Sequence, residues 1–320
     1  MSIKTQLKKN PLTKGLYAYL KTRKDKRILD NKFRYHGQFI DRSVGTEYAC
    51  IVLAGYKDYL YPSVLGRLKK YAPKDMDICI VTSGKYCEII NSICEKNNWS
   101  YLSTQENNVC LVQNVAIKLH PKANYIFKLD EDIFVTEGFF EGLKRAYEHS
   151  ENGKYFPGVI APLIPINGYG HVRVLEKLGL TSEYEKMFGS VKYAAGHIRP
   201  IESDPDVAKF FWGDGGIIPG IDDMNKLFSS TPIEERAVGI RFSIGAIMLS
   251  RSVWEGMGYF SVNRDSVSLG SDEVELCSYC LLHSRPLLVS ENVLVGHFSF
   301  GPQNATMKDY YEHNMERFLT

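Results

Sequence analysis

Apolar positions along this chain fall into short runs rich in branched and aromatic residues, separated by segments whose apolar positions recur at helical spacing. The first clear run is Tyr48-Ala49-Cys50-Ile51-Val52-Leu53-Ala54-Gly55, and the second is Asp77-Ile78-Cys79-Ile80-Val81-Thr82-Ser83-Gly84. Between them Leu60, Val64, Leu65 and Leu68 mark one face of a helix. A helix over about 88–97 precedes a short strand at 99–102, and another over 109–119 precedes a strand at 125–135. Strand and helix repeated in this way predict an open, mostly parallel α/β sheet with helices on both faces.

Beyond residue 135 the pattern changes. A helix over about 137–149 leads to a Pro-interrupted apolar segment at 156–165. From 167 to about 237 the chain is rich in Gly, Pro and aromatics and predicts irregular structure, with helical patches near 172–178 and 205–211. A stretch this long between sheet elements usually carries function or contacts. Tyr169, His171, Arg173, His197, Arg199 and Trp212 could grip a polar, ring-shaped substrate there. For each of them singly, packing of the loop onto the body is the favoured reading. Regular structure returns with a strand at 241–250, a helix opening near 271, and strands at 286–289 and from 293.

Composition narrows the picture only a little. With 320 residues, 44% of them hydrophobic, the chain can bury one large core or two smaller ones. A net charge of +2 gives no bias towards nucleic acid. The balance is uneven, though, because residues 1–42 hold twelve Lys or Arg against Asp25, Asp30 and Asp41. Leu12, Leu16, Tyr17 and Leu20 recur at helical spacing in that region, so residues 1–46 read as a basic helical arm. It is either a contact for an anionic membrane surface or a helix packed on the domain with a solvated cationic face. Seven cysteines spread through apolar segments argue against a disulfide framework, and Cys277 and Cys280 read as buried thiols. No signal-like or membrane-spanning run is present in the sequence, so a cytoplasmic protein is expected, peripheral at the inner face of the cell membrane if the arm binds there.

The strand at 125–135 is interrupted by Asp130-Glu131-Asp132. Period-2 geometry puts Asp130 and Asp132 on one side and Glu131 on the other. Close carboxylates repel, and burying either unpaired is costly, which a divalent cation such as Mg²⁺ or Mn²⁺ relieves. Standing alone, the motif is more simply a solvated acidic turn. It does not stand alone: both early strands end in small residues, Ala54-Gly55 and Thr82-Ser83-Gly84, where open α/β sheets admit ligands. Neither a Gly-x-Gly-x-x-Gly fingerprint nor a Walker loop is present, which removes support from dinucleotide and P-loop readings.

These features together resemble the nucleotide-sugar glycosyltransferases of the A-type fold, close to the bacterial family 2 group. The resemblance rests, in order, on Ala54-Gly55, on Asp130 and Asp132, on Ile244-Gly245-Ala246 with Trp254 and Gly258-Tyr259-Phe260, and on Asp272-Glu273. It implies metal binding by Asp130 and Asp132 with His297 as a third ligand, although a lone histidine is as often structural. It implies a donor pocket of Ala54, Gly55, Tyr56, Ser83, Asn114 and Asp130, with Gln113 standing where the family commonly has Arg. A general base is expected at Glu273 by position, with Asp272 as fallback, since the family order Glu-Asp is reversed here. The implied organisation is a domain over 47–320, with a donor half at 47–150, an acceptor insertion at 151–240 and a catalytic part at 241–301. The implied activity is a metal-dependent, inverting transfer of a hexose-like sugar from a nucleotide sugar, a UDP-sugar foremost. The acceptor would be a carbohydrate or lipid-linked carbohydrate, in surface polysaccharide or glycoconjugate synthesis. The alternatives are a sugar-nucleotide nucleotidyltransferase, disfavoured because Gly55-Tyr56-Lys57-Asp58 is not a basic phosphate loop, and a non-catalytic carbohydrate- or membrane-binding module.

Overall fold

The computed structural model of the protein describes residues 11–153, 155–193, 200–239, 242–263 and 270–319. Its strands in chain order are β1 (Gly37–Ile40), β2 (Tyr48–Ala54), β3 (Asp77–Ser83), β4 (Ser100–Thr104), β5 (Tyr125–Asp130), β6 (Ile133–Phe134), β7 (Val159–Leu163), β8 (Glu235–Val238), β9 (Ala246–Ser250), β10 (Leu287–Leu294) and β11 (Gly296–His297). Nine of them form one sheet in the order β1-β4-β3-β2-β5-β9-β7-β10-β8, while β6 and β11 make a separate two-stranded ribbon. Strands β2, β3, β4, β5, β7 and β10 share one direction, and β1, β9 and β8 oppose their neighbours. The sheet is therefore mixed and mostly parallel, with helices on both sides, as the pattern predicts.

The helices are α1 (Pro11–Phe33), α2 (Tyr61–Tyr71), α3 (Glu88–Asn97), α4 (Val109–Leu119), α5 (Phe139–Asn152), α6 (Gly170–Leu178), α7 (Thr181–Phe188), α8 (Pro205–Phe211), α9 (Ile221–Ser229), α10 (Arg251–Gly256), α11 (Ser271–Leu282) and α12 (Asn304–His313). The central strands are apolar on both faces because both are covered: Ala49 to Val52 in β2 and Cys79 to Val81 in β3 are buried. Helix α4 is buried from Cys110 to Ile117, and a helix apolar all round belongs inside a layered fold. It begins where the Asn108 side chain accepts the Leu111 amide, satisfying one orphan N–H of the first turn.

Three expectations are corrected. The strand at 125–135 is not continuous: β5 ends at Asp130, the chain turns through Glu131 and Asp132, and β6 resumes at Ile133. Residues 37–40, assigned to the arm, are the sheet's edge strand, paired antiparallel with β4. The supposedly irregular region at 167–237 contains, among its described residues, four helices, α6 to α9, and most of the edge strand β8.

The arm helix α1 is neither packed along its length nor detached. Its end is fastened: Phe33 meets Tyr259 edge-on at 4.9 Å and Trp254 at 6.0 Å, and Lys32 Nζ donates to the carbonyls of Gly258 and Tyr259. Leu16, Tyr19, Leu20, Ile28 and Leu29 are exposed. At the opposite end of the chain the buried Arg67 guanidinium holds both Asp222 oxygens and the carbonyls of Phe318 and Leu319. Among the described residues no helix is long and apolar enough to cross a membrane. The seven cysteines are unpaired, and burial pushes the Cys277 and Cys280 thiols up to about 11 and about 12.

Candidate active site

A cavity of about 520 Å³ lies at the carboxyl ends of the parallel strands. Strand ends β2 and β3 supply Leu53, Ala54, Val81 and Ser83, the start of α4 supplies Val109, Cys110 and Val112, and Asp130, Glu131, Asp132, Asp272 and Glu273 close the acidic side. The strand register explains the convergence, because Leu53 pairs with Asp130 and Ser83 with Thr104, so these ends stop level with one another.

The three carboxylates of the acidic motif do three different things. Asp130 accepts from Lys128 Nζ at 2.6 Å, while Lys128 also donates to the Ile244 carbonyl at 2.9 Å. Burial opposes the charge of Lys128, but the neighbouring carboxylates of Asp130, Asp272 and Glu273 outweigh it and its pKa is raised. Glu131 turns back to accept the backbone amides of Gly55 at 2.8 Å and Tyr56 at 2.9 Å. It thereby fixes the loop after β2, where Gly55 has φ +130 and an added Cβ would press on Lys85 and Thr82. Burial pushes the Glu131 pKa up, against these amide bonds.

Asp132 is buried, and its Oδ2 pairs with Lys57 Nζ. The same oxygen faces His297 Nε2 at 3.5 Å. These two residues, so distant in sequence, meet because β6 and β11 pair, setting His297 opposite Ile133 and letting Phe298 N–H donate to the Asp132 carbonyl. Burial alone would raise the Asp132 pKa, but His297 and Lys57 outweigh it and hold the carboxyl well below the usual range.

This arrangement fits a divalent cation at two protein ligands. His297 Nδ1 lies 3.2 Å from the Ile166 carbonyl. A proton or a divalent cation lying between His297 Nε2 and Asp132 Oδ2 would make that 3.5 Å contact favourable. No group of three His, Cys, Asp or Glu able to hold a metal is found among the described residues; Mg²⁺-type sites commonly complete a small protein ligand set with water and phosphate oxygens. Asp130 pairs with Lys128 and is not part of the Asp132–His297 pair.

The other expected residues separate cleanly. Ala54, Tyr56, Ser83, Asp272 and Glu273 line the cavity, whereas Gly55 contributes its backbone to the Glu131 clamp. Tyr56 is pinned by its hydroxyl, which donates to the Ser83 carbonyl at 2.8 Å, and its ring faces Lys85 Nζ at 4.5 Å. Asp272 is buried and accepts from Gln113 Nε2 at 2.8 Å. Glu273, next on α11, is less buried.

Asn114, expected at the donor, is corrected. It is fully buried and outside the cavity lining. Its side-chain oxygen accepts from Trp254 Nε1 and Phe260 N–H at 3.0 Å each, and its Nδ2 donates to the Phe260 carbonyl at 2.8 Å. Its amide is spent on clamping the 254–260 segment.

In the insertion, Tyr169 and Arg173 bond the buried Glu291, His171 Nδ1 bonds the Asn167 carbonyl, and Trp212 Nε1 donates to the Phe298 carbonyl. All four are packing contacts. His197 and Arg199 lie outside the described residues. Lys57 and Lys128 were passed over by sequence reasoning, and Glu131 and Gln113 were named there without the contacts the structure gives them. Gln113, at the position where the family commonly has Arg, was the one visible signal.

No protein-family model matches this sequence, and no curated protein matches it. Among solved structures, GalNAc-T7 with UDP, GalNAc and Mn²⁺ is similar at a TM-score of 0.50 and 12% identity, over 81% of this chain and 45% of that one. Residues 1–349 of S. aureus TarS give a TM-score of 0.47 at 11% identity, over 83% and 63%. This chain thus spans less than two thirds of either structure's length. At this identity the likeness is one of fold: a mixed, mostly parallel open sheet of the glycosyltransferase A-type.

Proposed function

We propose that this protein is a glycosyltransferase that moves a sugar from a nucleoside-diphosphate sugar, a UDP-sugar foremost, to a carbohydrate or lipid-linked carbohydrate acceptor. The carrying observation is that Asp132, paired with His297, lines the same cavity as Asp272 and Glu273 at the ends of parallel strands. The solved GalNAc-T7 structure holds UDP, GalNAc and Mn²⁺, which supports the same donor chemistry here.

The apolar walls Leu53, Val81, Val109 and Val112, beside the pinned Tyr56, suit a flat base. Asp132 and His297 would hold a divalent cation, Mn²⁺ or Mg²⁺, which when bound supplies a Lewis acid for the charge that builds on the departing diphosphate. Lys128 keeps Asp130 in place and screens it from Asp272 and Glu273. Glu273 takes the proton from the acceptor hydroxyl as its oxygen bonds to the anomeric carbon, and the sugar–phosphate electron pair leaves with the diphosphate. A single displacement of this kind inverts the anomeric centre. Asp272, held by Gln113, orients the start of α11 and is a positioning residue.

The direct test is Glu273→Gln. It should retain nucleotide affinity and lose transfer by about 10²- to 10⁴-fold. A variant with unaltered transfer removes Glu273 from the role of base. For the arm, we propose contact with an anionic membrane surface through Lys14, Lys21, Arg23, Lys24, Lys26 and Arg27, each contributing about 1 kcal/mol near such a surface. Deleting residues 1–29 should abolish partition onto phosphatidylserine-containing vesicles; unchanged partition removes the proposal.

A further inference from the structure

Lys57 sits where a bound cation would be expected. Its loop is fixed, since Glu131 holds the amides of Gly55 and Tyr56, but its own side chain is a flexible four-carbon stem. The side chain is 18% exposed, and its ammonium lies 6.0 Å from the Phe298 ring centroid and pairs with Asp132 Oδ2. His297 Nε2 faces that same oxygen from 3.5 Å. The Lys57 ammonium and a ring nitrogen of His297 therefore converge on a single buried carboxylate oxygen. Lys128 is placed differently, fixed on β5 between Asp130 and the Ile244 carbonyl.

We infer that Lys57 couples divalent-cation binding to nucleotide binding, by occupying Asp132 in the free protein and turning to the diphosphate when the nucleotide arrives. The inference rests on the proposed function. Without nucleotide, an incoming dication must compete with the ammonium for Asp132 Oδ2, and placing both beside one carboxylate leaves excess positive charge in a buried site. A diphosphate supplies the missing negative charge. The lysine then exchanges a carboxylate oxygen for a phosphate oxygen, and Asp132 and His297 become available to the ion. Linkage makes the effect reciprocal: whatever the nucleotide adds to ion affinity, the ion adds to nucleotide affinity. The protein would accordingly hold the ion well only when the leaving group is present.

The experiment is Mn²⁺ binding followed by electron paramagnetic resonance of the free ion, without nucleotide and with saturating UDP. It is run on the wild type, Lys57→Met and Lys57→Arg. The wild type should bind Mn²⁺ about tenfold or more tightly with UDP than without it. Lys57→Met should bind Mn²⁺ alone about fivefold more tightly than the wild type and UDP more weakly, so that the coupling largely disappears. Lys57→Arg, which keeps the charge, should restore part of it. A gain of ion affinity cannot come from a misfolded variant, which keeps that arm decisive. The inference is overturned if Lys57→Met leaves the Mn²⁺ affinities at wild-type values or weakens binding of Mn²⁺ alone. Should the wild type bind UDP with Mn²⁺ but without coupling, the inference falls and the function stands. A wild type that binds no UDP under any condition overturns the function and the inference together.

Discussion

Gln113 and Asn114 are neighbours on α4, and their side chains face different problems. Gln113 reaches the acidic rim and holds Asp272, while Asn114 exchanges two hydrogen bonds with Phe260 and takes a third from Trp254. Asn114→Ala would leave the buried Phe260 and Trp254 N–H groups without a partner. At about 1–3 kcal/mol for each such group, a loss of about 2–6 kcal/mol in urea unfolding is expected. A loss below about 0.5 kcal/mol, the range of an ordinary surface change, would contradict the clamp. The sequence marked Asn114 as important and misread why. Side-chain amides serve ligands and backbones equally well, and only burial separates the two uses. Asp132 and Glu273 were placed at the cavity from sequence through the order of motifs, since a carboxylate in the first turn of a helix, taken alone, is an ordinary cap or dipole partner. Lys57 and Lys128 were not, because a lysine on a strand or turn reads as a solvated charge until its partner, in Lys57's case 75 positions away, is known.

At the scale of elements, the small ribbon of β6 and β11 matters most, since it brings His297 to Asp132. Its tightest point is Gly296, where an added Cβ would lie 2.5 Å from the Trp212 ring. Trp212 is buried between Phe134 and Phe318 and has little room to yield. Gly296→Ala should cost about 1–3 kcal/mol through overpacking, read as a lowered melting temperature. It should also weaken Mn²⁺-dependent nucleotide binding, because His297 is the adjacent residue. Unaltered melting and binding would mean that the ribbon tolerates displacement and does not set the pair. The long strands were legible as unbroken apolar runs. Strand β10 was read only in part, because Ser290, Glu291 and Asn292 interrupt its apolar pattern; all three are buried, with Glu291 paired to Arg173 and Asn292 bonded to Thr231. The edge strands β1 and β8 are four residues each, too short and too exposed to carry a period. Helices α7 and α9 were hidden in a Gly- and Pro-rich region whose order comes from tertiary packing, as around Tyr184 and Phe228.

Across the whole molecule, the two halves of the site come from different parts of one sheet. The parallel strands β2, β3 and β5 bring the cavity's apolar walls and Asp130, and the later chain returns through β9, α11 and β11 with Gly245, Glu273 and His297. That return was readable as the order of motifs, but not as contacts, because closure depends on pairings such as β5 with β9 and β6 with β11. The central claim is that this junction holds a nucleoside diphosphate through a cation on Asp132 and His297. It is tested most directly by calorimetric titration of UDP into the wild type and Asp132→Ala, each with and without Mn²⁺. The account predicts binding to the wild type that strengthens with Mn²⁺, and a loss of at least about tenfold in Asp132→Ala with Mn²⁺ present. Identical UDP binding by both proteins, or binding indifferent to Mn²⁺, would contradict it.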